Sequence, residues 1–394
     1  MAGGYRLGEE HEDFRRVVAE FAEKRLAPHV ADWNAQGGLP LSAVRQMGEL
    51  GLFGLGGPEE YGGAGDFTSL CVAIEEIGRV DQSLGITLEA GLGLGANPIA
   101  RFGTAEQKER WLPDLLAGRT LAAFGLTEAE AGSDASATRT RAELVDGTWV
   151  INGSKQFITN SGTAITSVIT VTAVTGGRDD GRPELSTIMV PAGTPGLTVG
   201  PAYEKLGWHA SDTHPVILED VRVPEDHLLG VRGRGYAQFL STLDDGRIAI
   251  AALALGCIRA CRDLARDHAL QRHSFGGPIG RKQAVAFMIA DLDVMAHTAG
   301  LLVYAAAQLK EDQAAHPDAD PAELKRAAAI AKLYTSESAV TATRLATQVF
   351  GGYGFMEEYP VARFYRDAKV LEIGEGTSEI QRLLIARGLG LPVE

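Results

Sequence analysis

Apolar positions recur with helical spacing through the first third of the chain. Phe14, Val17, Val18 and Phe21 fall at i, i+3, i+4 and i+7 and predict a helix that Pro28 follows closely. Further helical runs around Leu41 to Leu50, Ser69 to Arg79 and Glu106 to Leu116 are separated by glycine- and proline-bearing segments such as GGPEEYGGAGD. After Leu121 the pattern changes. From Thr140 to Pro224 the segments SVITVTAV, STIMVP and VILEDVRVP are rich in β-branched residues, and Asp146-Gly147 and Asn152-Gly153 are strong hairpin dipeptides. Beyond Gly235 helix returns. IAIAALALGCIRACRDLARDHAL reads as one long helix, and Val285, Met288, Ile289, Leu292, Met295, Ala296 and Ala299 keep the 3.6 period over several turns. Pro321 opens another helix that runs to Gln348, after the polar loop HPDADPAEL. Helices apolar on more than one side predict a bundle that buries its remaining faces against another domain or subunit. The expected architecture is multidomain α+β: helical over 1–120, β over 121–230, helical again over 231–394.

The length, 394 residues, agrees with two or three domains at about 150 residues each. Lysine and arginine total 37 against 51 acidic residues, a formal net charge of −14. Such a surface argues against nucleic acid as a partner, so any phosphate-bearing ligand must be held locally. Hydrophobic residues make up 45% and mean hydropathy is −0.02, values of a soluble globular protein. No apolar stretch approaches the ~18 to 20 residues of a bilayer crossing, so no membrane association is expected. MAGGYRLGEEHEDF lacks a basic and apolar leader pattern, which points to the cytoplasm. Cys71, Cys257 and Cys261 are too few and wrongly spaced for a disulfide framework or a zinc site and are expected to be buried.

Several local patterns carry little chemistry. GLGLGA, from Gly91 to Ala96, fits a dinucleotide pattern formally, but no strand precedes it and Pro98 interrupts the helix that should follow. A glycine-rich lining beside a ligand cavity is the better reading. RGRG at Arg232 to Gly235 reads as a solvated turn, and His209 and His214 as structural or solvated histidines without metal-ligand spacing. No metal site is expected. Three segments are more informative. LTEAEAGSDASATRTRAE with INGSKQFITNSG offers small residues and hydroxyls to an anion or a flat ring. ALQRHSFGGPIGRKQAV with TQVFGGYGF places an arginine, a serine and a glutamine near glycines that permit close backbone approach. FYRDAKVLEIGEGTSEIQRLLIAR sets Glu375 between glycines just before a helix start at Thr377-Ser378-Glu379, where an anion can bind.

Together these segments resemble the acyl-CoA dehydrogenase family, in the family's order and over nearly the whole chain, with EEYGG, EKLGWHASDT and EDVRVP between them. The resemblance implies an N-terminal helical domain, a middle β-barrel-like domain and a C-terminal four-helix bundle, with FAD bound partly across a subunit interface in a homotetramer. By resemblance the stretch from Phe124 to Ser133, with Leu126, Thr127 and Gly132, and the triplet Phe157, Ile158 and Thr159 face the flavin. Phe157 stands where many members have tryptophan; both stack on a flavin face. Arg272, Ser274, Phe275 and Gln283 of one subunit, with Gln348, Gly351 and Gly352 of its neighbour, hold the ADP half, and Thr377 and Glu379 complete that site.

Glu375 matches the family's catalytic base. Some relatives carry the base just before the arginine matched by Arg247; here that position is Gly246, and Asp245 is out of register. The resemblance implies removal of the α-proton by Glu375 with hydride passing from the β-carbon to FAD, giving a trans-2-enoyl-CoA. Asp244, Arg247, Ser133, Gly376 and Arg387 then contact the acyl-CoA, and an electron-transfer flavoprotein reoxidises the flavin. The competing readings are an acyl-CoA oxidase using dioxygen and a non-catalytic flavin or acyl-CoA binding protein. By the family's spacing Thr87, Ala90, Gly91 and the Gly93-Leu94-Gly95 turn line the acyl cavity. Gly374 replaces a bulky tyrosine of several straight-chain members, which implies room for medium-to-long or branched chains.

Overall fold

The computed structural model describes residues 7–316, 318 and 320–393. The start of MAGGYRLGEEHEDF, Pro317 and Ala319 of the polar loop, and the outer limits of the two terminal domains lie outside the described residues. The first unit is helical: α1 (Glu9–Phe21), α2 (Val30–Gln36), α3 (Leu41–Glu49), α4 (Phe67–Val80), α5 (Gln82–Glu89), α6 (Asn97–Phe102) and α7 (Ala105–Leu116). Pro28 does not end the first helix. The chain winds on through a π turn, Ala22–Leu26, and a 3-10 turn, Ala27–His29, where proline sits in the first turn and its missing N–H costs nothing. Pro98 likewise sits in the first turn of α6 instead of interrupting it. The Asp66 side chain accepts from Ser69 N–H to cap α4, and Thr104 and Gln107 form a reciprocal capping box on α7.

The second unit is a mixed sheet of β1 (Leu121–Gly125), β2 (Arg141–Val145), β3 (Thr148–Thr159), β4 (Thr166–Gly177), β5 (Pro183–Pro191), β6 (Leu197–Val199), β7 (Thr213–Pro224) and β8 (Leu228–Leu229). The order is β6-β7-β3-β2-β4-β5-β8, with β1 parallel to β4. Trp149, Ile151, Ile169, Val171, Ile188, Val216 and Val223 fill its core, which fits a barrel-like domain. Asp146-Gly147 makes the β2–β3 hairpin as expected. Asn152-Gly153 does not turn the chain. It lies inside β3 at a bulge against β7, Gly153 at φ +150, and the Asn152 amide bonds Asp220 across the strands. Continued pairing with β7 outweighs the local turn preference.

The third unit holds α8 (Gly235–Gln271), α9 (Gln283–Ala315), α10 (Pro321–Phe350), α11 (Pro360–Ala368) and α12 (Ser378–Gly388). The helices α8, α9 and α10 pack on one another, and α12 closes against α10 as the fourth. α8 is buried along most of its middle, Ile248 to Ile258, because α4 packs on its other side. That approach is close: a side chain on Gly256 would overlap the Glu75 carbonyl. The carboxylates of Glu75 and Glu76 meet Arg15 of α1 at 2.8 and 2.9 Å and also bind Arg259 of α8, so charge pairing joins the first and third units. All three cysteines are free and buried.

One sequence expectation fails in this unit. α9, at 33 residues, is long and apolar enough to cross a membrane by length and composition. Asp291 and Asp293 interrupt its apolar run without lowering its mean hydropathy below that of a crossing helix. In the fold Leu292, Ala296, Ala299, Val303, Ala306 and Ala307 pack into the bundle, while Phe287, Val294 and Leu301 face outward.

The loop after β1 is tied to the sheet by a buried ion pair. Lys155 of β3 reaches Glu128 at 2.7 Å, the Leu126 carbonyl at 3.2 Å and Thr172 Oγ1 at 3.0 Å. Glu128 also accepts from the N–H groups of Arg139 and Thr140. Burial pulls the Lys155 ammonium down to about 8, against the opposing pull of Glu128. Breaking one half of such a pair typically costs ~3 to 5 kcal/mol, because the other charge stays buried. Glu128→Gln is therefore expected to lower unfolding free energy by about 3 kcal/mol in urea titrations, and Glu128→Gln with Lys155→Met to recover part of that loss.

Candidate active site

Glu375 lies in the turn between α11 and α12, after a 3-10 turn over Lys369–Glu372. Its backbone is left-handed at φ +51, followed by Gly376 at φ +94. Such a conformation persists only where the surroundings hold it, and here two buried side chains do so. The Lys332 ammonium donates to the Gly376 carbonyl at 2.8 Å, and the Gln381 amide donates to the carbonyls of Glu375 and Gly376 at 3.2 and 2.9 Å. Among the described residues none accepts a hydrogen bond from the Glu375 N–H.

The Glu375 carboxyl is buried, and among the described residues no donor reaches either of its oxygens. It rests over Gly246 of α8, where a methyl group would overlap Oε2. Gly246 thus provides the room that the base occupies. Burial pushes the Glu375 carboxyl up to about 7, against a lowering by a contact with Glu89 and by the charges of Lys332 and Arg247. Burial in turn lowers Lys332 to about 8. Arg247 is buried and paired with Asp244 three residues earlier. Asp245 points elsewhere, bound to Lys310 at 2.7 Å and Arg101 at 3.2 Å. It is locked in ion pairs and is not a second candidate for the base.

The residues matched to a flavin ring lie on the β-domain. Phe124 packs on Phe239, ring centroids 4.1 Å apart, and Leu126 is buried beside it. Thr127 accepts from Gln156 N–H through its carbonyl, while Gly132 and Ser133 are exposed. Phe157 stands out at φ +62, 64% exposed, against Tyr203. Ile158 turns its side chain into the sheet core, so only its backbone is open to a ligand; Thr159 is half-buried.

A second group gathers at one end of the bundle. The RHSFGGP segment is a tight hairpin, His273–Ser274 against Gly277–Pro278, that leaves Phe275 91% exposed. The Arg272 guanidinium lies 5.3 Å over the Tyr353 ring and makes no ion pair among the described residues. Gln283, Gln348, Gly351 and Gly352 are exposed at this end, and side chains at either glycine would meet nothing. An uncompensated arginine, open backbone and unpacked aromatics suit a diphosphate and a flat base, so these residues fit an adenine dinucleotide. Thr377 caps α12 by accepting from Ile380 N–H at 3.4 Å, and Glu379 is exposed in the first turn. Arg387 sits on the exposed last turn, bonded to the Val393 carbonyl at 3.3 Å, outside the buried cluster.

The expected cavity lining holds at Gly93, which with Leu92, Ala96, Asn97 and Gly246 borders a cavity between the first and third units, but not at Gly91 and Gly95. The space at Gly91 is taken by Phe53 and Leu121, and that at Gly95 by Ala122 of β1, so these glycines serve close packing. GLGLGA is a π-helical segment continuing α5, without a strand before it. Thr87 and Ala90 are buried, and Gly93 faces a carboxyl oxygen of Glu89. Gly374 does open volume, since a side chain there would meet only the Val370 carbonyl at 3.5 Å. Sequence reasoning missed Glu89, Lys332 and Gln381. For Glu89 a signal existed: one acidic residue inside the apolar run LGITLEAGLGLG.

Three units meet with a buried, donor-free carboxyl at the junction of the two helical ones, an arrangement suited to drawing off a weakly acidic proton. Residues 8–119, 123–221 and 233–390 match the N-terminal, middle and C-terminal domains of acyl-CoA dehydrogenase, respectively. The chain is 46% identical over 386 residues to the probable acyl-CoA dehydrogenase YngJ of Bacillus subtilis (strain 168), covering 98% of this chain and 99% of that one. The solved butyryl-CoA dehydrogenase of Megasphaera elsdenii superposes with a TM-score of 0.92 at 39% identity, covering 98% and 99%. A chain of the structure described as the electron transferring flavoprotein of Acidaminococcus fermentans gives 0.91 at 40%, with the same coverage. The chain belongs to the acyl-CoA dehydrogenase family, flavoproteins that oxidise a CH–CH group.

The raised Glu375 carboxyl has a consequence for folding. Its ordinary value is 4.5 and its folded value about 7, so between these pH values the folded chain keeps a proton that the unfolded chain has released. Stability then falls as pH rises through that window. Glu375→Gln removes the ionisation, and thermal unfolding is expected to show the variant more stable than the wild type at pH 8, by at most ~3 kcal/mol. At pH 5 the two should nearly coincide.

Proposed function

We propose that this chain oxidises a saturated acyl-CoA thioester to the trans-2-enoyl-CoA, with Glu375 as the base and FAD as its flavin. The observation that carries the reading is a glutamate buried without donors at a domain junction. A carboxylate in water is too weak to remove an α-proton of a thioester; desolvation makes it stronger, bringing it near the operating pH. The unpartnered Glu375 N–H is available to the thioester carbonyl, where it stabilises negative charge as the α-proton leaves. Arg247, held by Asp244, adds positive charge beside the base. Ser133, Gly376 and Arg387 are further candidate contacts to the acyl-CoA.

Phe124 to Ser133 and Phe157 to Thr159 would face the flavin ring. Arg272, Ser274, Phe275, Gln283, Gln348, Gly351 and Gly352 would hold the ADP half, with Thr377 and Glu379 nearby. Bound there, FAD supplies the hydride acceptor for the β-carbon. The exposed apolar face of α9 and the open bundle end support a homotetramer that shares these sites between subunits. An electron-transfer flavoprotein is the proposed acceptor, supported by the likeness to the Acidaminococcus structure, and acyl-CoA turnover of this kind belongs to fatty acid metabolism. The open volume at Gly374 supports medium-to-long or branched acyl groups.

Glu375→Gln is expected to retain FAD and fold while losing at least ~10³ of turnover, as loss of a general base costs ~10² to 10⁴. Flavin bleaching across a panel of acyl-CoAs measures this and reads chain preference. Near-wild-type bleaching by the variant would overturn the assignment, and stoichiometric peroxide release in air would make the enzyme an oxidase. Arg272→Ala should weaken FAD retention and loosen the oligomer together, measured by flavin absorbance across a sizing column. A monomeric wild type with full FAD occupancy would contradict the shared site.

A further inference from the structure

Glu89, the last residue of α5, is fully buried, and among the described residues no donor reaches either of its carboxyl oxygens. In a protein interior that isolation is expensive unless the group is neutral or faces a partner. The group set against it is the carboxyl of Glu375, which is likewise buried without a donor among the described residues. The two side chains come from different units, and each has a glycine making room for it. A side chain on Gly93 would come within 2.9 Å of Glu89 Oε1, and one on Gly246 would overlap Glu375 Oε2. Gly93 and Gly246 border the same cavity between the first and third units, so the two carboxyls are seated at one site.

Two carboxylates cannot both be ionised at such a site, so one proton must be shared or held by one of them. The surrounding charges decide which. Arg247 of α8 and Lys332 of α10 both lower Glu375. Glu372 and Glu379, on the segment around the base, act on Lys332, while Asp244 answers Arg247 and Asp245 is bound to Lys310 and Arg101. No cation offsets Glu89, which burial and the charge of Glu375 push well up. The proton therefore belongs on Glu89 and the negative charge on Glu375.

We propose that Glu89 is a positioning residue for the base: its neutral carboxyl donates a hydrogen bond to the Glu375 carboxylate, aiming it and keeping it ionised in a site that excludes water. The proposal rests on Glu375 being the base. A charge-assisted donor of this kind favours the ionised form. Without it the base would need a higher pH to lose its proton.

The test compares Glu89→Gln, which keeps a donor, with Glu89→Met, which has none, in the FAD-loaded enzyme. The acid limb of kcat/KM against pH should stay in place for Glu89→Gln and move to higher pH by on the order of one unit for Glu89→Met. In infrared difference spectra above pH 8, where Asp367 is ionised, one protonated-carboxyl C=O stretch should be present in the wild type and in Glu375→Gln and lost in Glu89→Gln. If both Glu89 variants keep the wild-type acid limb, or the band survives in Glu89→Gln, the donor role is wrong and Glu89 only fills space. Should Glu89→Met fail to fold, Glu89→Gln and the infrared band still decide. Failure of the base assignment itself reads differently, as retained turnover in Glu375→Gln.

Discussion

Everything at the site follows from removing water from one carboxyl group. Glu375 loses its hydration and, among the described residues, gains no hydrogen-bond donor in return, so its charge is answered by Arg247 and Lys332 without a direct bond. Stronger neutralisation would make it a poor base. Weaker support would leave it protonated throughout the working range. The left-handed backbone, fixed by Lys332 and Gln381 through carbonyls and not through the side chain, holds the carboxyl in place without quenching it.

Much of this architecture was legible in the sequence because its physics is periodic. Helical spacing marks α1, α3, α4 and α8 to α10, and alternating β-branched residues mark β4, β5 and β7, because each must bury one face or more. The errors fall where a local signal competes with a neighbour. Asn152-Gly153 promises a turn, but β7 continues to pair there and the glycine becomes a bulge. Pro28 promises a stop, yet the chain needs only a π and a 3-10 turn to continue. Gly91 and Gly95 looked like a cavity floor and are instead contact points for Phe53, Leu121 and Ala122.

The site itself was legible only as far as motif order carries. EGTSEIQR and RHSFG place Glu375 and Arg272, whereas Lys332 and Glu89 stand in helices that look ordinary in sequence. Lys332 falls in an alanine-rich helix, where a surface role is the natural reading for a lysine. Its function appears only when α10 and the turn before α12 are brought together, since its reach to the Gly376 carbonyl depends on packing and not on spacing.

Because the two carboxyls come from different units, the base exists as such only when the units are docked. Glu89 ends a helix of the first unit, Gly246 and Arg247 ride on α8, and Glu375 precedes α12. Docking is enforced away from the chemistry: Glu75 and Glu76 pair with Arg15 and Arg259, Gln82 donates to the Leu253 carbonyl at 3.1 Å, and Arg363 donates to the Val80 carbonyl at 2.9 Å. The β-domain joins through Trp208, whose N–H donates to Asp367 at 2.7 Å. These contacts lie between helices with little freedom to slide, since Gly256 already brings α8 against the Glu75 carbonyl. A shift of α4 past α8 would carry the adjoining α5 and its Glu89 away from Glu375 and admit water to both. Desolvation of the base is thus a property of the interface between units, and the polar network on its far side belongs to the same device.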